Sequence, residues 1–129
     1  MIATARRRNR ALIEQGRVAV VAASADAMPF ADASFDKAMA MHTLYFWDPA
    51  EPCLSEIARV LGPGGRFVLG FRPAEDEAIF SKLPAPVYRL RTTRQVRQLL
   101  TNAGLEIEQE ERRDRPGDSM VWLACRRAR

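Results

Sequence analysis

The chain carries a single histidine, His42, which closes the apolar run "KAMAMH" at residues 37–42. An imidazole titrates near neutral pH, so at the end of a strand it serves as a general base, or it orients a neighbour or packs. Tyr45, Phe46 and Trp47 follow closely. Such rings either line an acceptor pocket, with Tyr45 supplying a hydroxyl, or fill a core. Cys53 and Cys125 are too few and too far apart for a disulfide framework or a zinc site, which makes a reducing cytoplasm the expected location. The net charge of +4 comes mainly from arginine, with Arg6, Arg7, Arg8 and Arg10 at one end and Arg126, Arg127 and Arg129 at the other. No stacking aromatics lie among them, so they read as solvated surface, and nucleic acid is not an expected partner.

These residues need elements to position them. A chain of 129 residues, 47% of them hydrophobic, suits one domain with a real core, and no apolar run approaches the roughly 18 needed to span a membrane. A helix is expected from Ala3 to Gln15, stopped by Gly16. "RVAVVAASA", residues 17–25, is small, β-branched and apolar almost throughout, which predicts a strand buried on both faces. "MPFADASFD" reads as a loop, and "KAMAMH" as a second buried strand.

Leu54, Ile57, Ala58 and Leu61 make one stripe of a helix over Pro52 to Leu61, and Glu51 complements its dipole. Gly62 is expected in the left-handed position after that helix. Pro63 blocks continuation, Gly64 and Gly65 permit positive φ angles, and "RFVLGF" is the strand that follows. "RPAEDEAIFSKLPAPVYRLR" is irregular. Thr92 or Thr93 caps a further helix that Gly104 ends, and "LEIEQEER" and "SMVWLACRR" read as strands joined by "RDRPGD". Strand and helix alternate, which predicts an α/β fold with a mostly parallel sheet and an antiparallel C-terminal hairpin.

Three pieces now stand in order: "MPF…FD" from Met28 to Asp36, "AMAMHTLYFWDP", and "RVLGPGG" from Arg59 to Gly65. Together they resemble the class I S-adenosylmethionine-dependent methyltransferases of the small-molecule type, with the likeness running from about Arg6 to Gly104. The resemblance implies a Rossmann-like sheet ordered 3-2-1-4-5-7-6, with the cofactor S-adenosylmethionine across the carboxyl ends of its central strands. It makes "RVAVVAASA" strand three, "KAMAMH" strand four and "RFVLGF" strand five.

The first two strands of that order, with their glycine-rich loop and ribose-binding acid, find no counterpart in these residues. The expectation is therefore one partial domain over 1–129, truncated at its N-terminus. Strand three would re-pair with strand four, two copies would complete each other as a homodimer through exposed strand edges, or an upstream piece is absent. A compact, altered sheet with some self-association is the favoured outcome.

The resemblance also implies site residues. Ser24 and Ala25 fall against the adenine, where Ser24 accepts a hydrogen bond from the amino group or simply caps a strand end. Asp26 lies two places too late to be the family's acid. Met41 and His42 fall near the cofactor's methionine portion and the acceptor, which makes His42 and Tyr45 the candidate catalytic pair. The implied reaction is methyl transfer to a small-molecule acceptor. A non-catalytic remnant and a strand-pairing interaction module are the alternatives.

Overall fold

The computed structural model describes residues 1–82 and 88–129. Within the irregular region after the third expected strand, residues 83–87, including Pro84 and Pro86, lie outside the described residues.

The N-terminal helix is two helices, α1 (Ile2–Arg8) and α2 (Arg10–Glu14), rather than one. The break is at Asn9, whose backbone leaves the helical region and whose side-chain amide donates to Ala5 O at 2.8 Å. An asparagine amide competes in this way for carbonyls that the helix would otherwise use. Gly16 then takes the left-handed conformation at φ 71°, as its type requires.

Residues 17–25 do not form the expected strand. They run in an irregular path whose single ladder contact is a bridge between Ser24 and Ala27. Their apolar, β-branched composition is strand-forming, but a strand exists only where a neighbour completes its ladder, and among the described residues none does. The residues that follow are also tied down. Arg59 donates to the carbonyls of Met28 and Phe30 and to Asp32, and Glu56 accepts from the Met28 amide at 2.7 Å. This clamp holds the "MPFADASFD" loop along the next helix. Re-pairing of strand three with strand four is therefore not observed.

From there the order of elements follows the expectation, but "KAMAMH" is not the buried strand expected: none of its residues is buried, because among the described residues it has a sheet neighbour on one side alone. Strand β1 (Phe35–Met41) is followed by the helical turn Leu44–Phe46, helix α3 (Glu51–Val60), strand β2 (Leu61–Phe71), helix α4 (Thr93–Asn102) and strands β3 (Leu105–Arg113) and β4 (Met120–Arg127). The sheet order is β1-β2-β4-β3. β1 is parallel to β2, and β4 is antiparallel to both β2 and β3, so three strands point one way and one opposes them. With β1 as strand four, this is the 4-5-7-6 portion of the order that the resemblance implied.

One face of the sheet is the core. Phe67, Leu69 and Phe71 of β2 and Val121, Leu123 and Cys125 of β4 are buried there with Leu54 and Ile57 of α3 and Val96 and Leu100 of α4. Each large apolar side chain so buried contributes about 1.5–3 kcal/mol. Thr92 caps α4 in a reciprocal box with Gln95, and Gly104 ends it at φ 81°.

The joint after α3 differs in detail from the expected one. Leu61 is already extended, so α3 passes straight into β2, and the left-handed residue is Gly64 at φ 78° rather than Gly62. Residues 62–65 bulge from the ladder: Phe35 pairs with Leu61, yet Lys37 pairs with Arg66. A Cβ on Gly65 would sit 2.8 Å from Gly62 O and 3.3 Å from Asp36 O. That approach explains the glycine.

Candidate functional site

The two motifs that carry the family resemblance touch one another. Arg59 of "RVLGPGG" holds the loop of "MPF…FD" through its guanidinium, and the bulge at Gly65 presses on Asp36 at that loop's end. The Glu56 carboxylate lies 2.7 Å from Arg59 Nε, and together with the Met28 N–H this holds the Glu56 pKa down to about 2. The clamp positions β1, and β1 positions His42.

His42 follows the last residue of β1 with φ 57°, a left-handed conformation that costs a side-chain-bearing residue about 1 kcal/mol or more. It is held there by its own N–H, which donates to Gly70 O of β2 at 3.0 Å. Its ring Nδ1 lies 3.0 Å from the hydroxyl of Tyr45. Tyr45 is a core residue, 4% exposed, and its oxygen already accepts from the backbone N–H of Arg72.

A phenol has one proton to give. Among the described residues, Nδ1 is the acceptor in reach, so Tyr45 donates to Nδ1 and His42 carries its own proton on Nε2. Partial burial and the nearby Arg72 charge lower the His42 pKa, which favours this neutral form, while burial raises that of Tyr45. At neutral pH the ring therefore presents an N–H donor at the carboxyl ends of β1 and β2.

The supporting residues include two that sequence reasoning missed. Arg91 is buried, and it donates to Leu44 O at 3.0 Å and to Trp47 O, fixing the turn that holds Tyr45. Desolvation lowers its pKa. Nothing local in "RLRTT" marks this arginine out. Gly70 is the other. A Cβ there would run into the side chain of Met41 and stand 3.2 Å from Trp122 Cδ1, so Met41 lies across the bare strand. An isolated glycine inside an apolar strand is a signal of such an approach.

The structure thus brings together His42, Tyr45 and Arg72, and sets Met41 against Gly70. Phe46 is 58% exposed and packs on Tyr88 with ring centres 5.3 Å apart, whereas Tyr45 lies inside. Ser24 is exposed and donates to the carboxylate of Asp26, on the turn closed by the Ser24–Ala27 bridge. No hydrogen bond among the described residues joins Ser24 or Ala25 to Met41 or His42.

A family model described as "Methyltransferase domain" matches residues 1–69. The chain belongs to the methyltransferase-domain family. Among curated relatives, the O-methyltransferase resE of Aspergillus sclerotiorum is 44% identical over 57 residues, which is 44% of this chain and 22% of that one. The sterol 4-C-methyltransferase strm-1 of Caenorhabditis elegans is 42% identical over 53 residues, 41% of this chain and 16% of that one. The aligned stretch thus spans less than a quarter of either relative. Among solved structures, the Burkholderia thailandensis 1,6-didemethyltoxoflavin-N1-methyltransferase, bound to 1,6-didemethyltoxoflavin and S-adenosylhomocysteine, superposes with a TM-score of 0.72. It is 21% identical, and the superposition covers 95% of this chain and 56% of that methyltransferase. That likeness establishes the fold, which is the Rossmann-like methyltransferase sheet.

The residues at the end of β1 suit the polar, partly apolar cofactor of this family. His42 offers Nε2–H, Thr43 Oγ1 is buried without a partner among the described residues, and Met41 supplies an apolar wall. Ser24 gives its proton to Asp26, which leaves its lone pairs free to accept from an amino group.

Proposed function

We propose that this chain takes part in S-adenosylmethionine-dependent methyl transfer to a small-molecule acceptor, as one domain over residues 1–129 working in the cytoplasm. The observation that carries the reading is the clamp between the two family motifs, which delivers His42 to the strand ends where doubly wound sheets bind ligands. In the described residues no helix is long and apolar enough to cross a membrane. The acceptor atom stays open in this proposal, because the relatives' names span oxygen and ring-carbon acceptors and the solved neighbour's a ring nitrogen.

The cofactor supplies a methyl group already activated by its sulfonium, so the protein's task is to align the acceptor and exclude water. In this reading His42 orients the acceptor by donating from Nε2. Tyr45 is a positioning residue that acts through the imidazole by setting its tautomer. Met41 and Phe46 wall the site, and Ser24, backed by Asp26 and next to Ala25, accepts from the adenine amino group.

The reading is tested by calorimetric titration with S-adenosylmethionine. Saturable heat at submillimolar ligand, weakened in Ser24→Ala and His42→Ala, is expected. A flat titration of the folded chain would favour the non-catalytic remnant instead. Nitrogen NMR of the single imidazole gives a second check, since Tyr45→Phe removes the donor to Nδ1 and should mix the two tautomers.

One feature favours a strand-pairing role alongside this one. β1 has a neighbour on one side alone among the described residues. The proposal therefore includes a homodimer formed through that edge.

A further inference from the structure

Among the described residues there is an unpaired strand edge and, separately, an unpaired strand-forming segment. The edge is the outer side of β1, where Phe35, Met39 and Met41 are exposed, Met39 by 74%. The segment is residues 18–23, "VAVVAA", which stand between Arg17 and Asp26 with no charge among them. Val21 is 46% exposed. Among the described residues, the amides of 19–23 donate to nothing, although backbone groups of apolar, β-branched stretches are paired in folded proteins.

The segment does not reach its own β1. At its front, Arg17 and Val18 donate to Leu12 O, and Arg6 donates to Val20 O, which fastens it to the helical pair α1–α2. Behind it, the Arg59 clamp holds residues 28–32 along α3. Both ends are thus tied to other elements within one molecule, and among the described residues no ladder bond joins the segment to β1. A second copy has no such restriction. Six extended residues span about 20 Å, close to the length of the seven-residue β1.

We infer that two copies exchange these elements, residues 18–23 of each adding as a strand to the β1 edge of the other. The inference rests on the self-association proposed above and names the segment that performs it. Reciprocal exchange about a two-fold axis uses the same pair of surfaces twice, so the assembly closes as a dimer in which each β1 edge and each segment has a partner. Strand addition gives affinity through main-chain hydrogen bonds, while the apolar faces of "VAVVAA" continue the surface of Met39 and Met41.

Two substitutions test it by sedimentation and amide exchange on the whole chain. Val21→Pro removes one ladder donor on the side away from the Arg6–Val20 bond, from a segment outside the sheet, so its unfolding midpoint at low concentration should match that of the unaltered chain. Met39→Lys places a charge on the β1 edge. The unaltered chain is expected to sediment as a concentration-dependent dimer, with the amides of Ala19, Val21 and Ala23 exchanging more slowly as the dimer forms. Each variant should weaken dimerisation by about tenfold or more, the effect of one lost net hydrogen bond, or one edge charge, at each of the two exchanged strands. A dimer that Val21→Pro leaves unchanged overturns the exchange but keeps the homodimer. A monomer at all concentrations overturns both, and neither result alters the cofactor titration.

Discussion

The two outer strands of the sheet are built on opposite rules. β3 carries Glu106, Glu108, Glu110, Glu111, Arg112 and Arg113 along its length, and ion pairs tie it to its surroundings: Arg97–Glu110 at 3.0 Å to α4 and Arg126–Glu108 at 3.4 Å to β4. β1 carries one lysine and one aspartate among Phe35, Ala38, Met39, Ala40 and Met41. Charge along an edge makes its pairing with another chain costly, and bare apolar residues invite it. β3 is thus a finished boundary of the sheet, whereas β1 has the composition of an interior strand. The site residues follow the unfinished edge, since His42 continues directly from β1.

This contrast depends on the clamp and bulge that present β1, so damage there should be felt most. Gly65→Ala forces a Cβ against Gly62 O and the Asp36 carbonyl, both backbone atoms. A loss of about 1–3 kcal/mol in urea unfolding is expected. A variant as stable as the parent would show that the bulge does not press on β1. Arg59→Ala is next. It removes the donors to Met28 O, Phe30 O and Asp32 and should lower the urea midpoint. Amide exchange at Met28 should accelerate while exchange in β3 stays as before. Equal acceleration at Met28 and in β3 would mean that the clamp acts on the whole fold and not on one side.

The same clamp has a pH signature. The folded Glu56 pKa, about 2, lies below its ordinary 4.5, so its stabilisation is fully present above the ordinary value. It is lost as pH falls from about 4.5 toward 2, and Glu56→Gln should flatten that part of an acid-unfolding curve. The smallest expected effect lies at the other edge. Glu110→Val removes the partner of Arg97 and Arg112 and leaves β3 less guarded. Weak self-association should appear by light scattering with little change in stability, because partly exposed ion pairs contribute only about 0–1 kcal/mol.

Much of this was legible in the residues. The α3 stripe at Leu54, Ile57 and Ala58, the Thr92 cap, Gly104 at its turn and the C-terminal hairpin are local signals, and each appears where the sequence puts it. Leu61 of that stripe belongs instead to β2. The site was legible in part. His42 at the end of an apolar run pointed to a strand end, but Tyr45 read equally as pocket or core. Its burial, its bond to the Arg72 amide and the resulting imidazole tautomer depend on segments distant in sequence. Arg91, which fixes the turn beneath Tyr45, lies 44 residues from its Trp47 acceptor and has no local signature.

By itself, the sequence determined which stretches prefer helix, strand or turn, and how the family motifs follow one another. Whether a strand-prone stretch becomes a strand was decided by the tertiary structure alone. "KAMAMH" is one because β2 supplies its ladder, and "RVAVVAASA", at least as apolar and richer in β-branched residues, is not, because among the described residues no neighbour supplies one. A helix closes its hydrogen bonds within four residues, but a strand closes them on a distant segment, so its existence is a property of the whole fold.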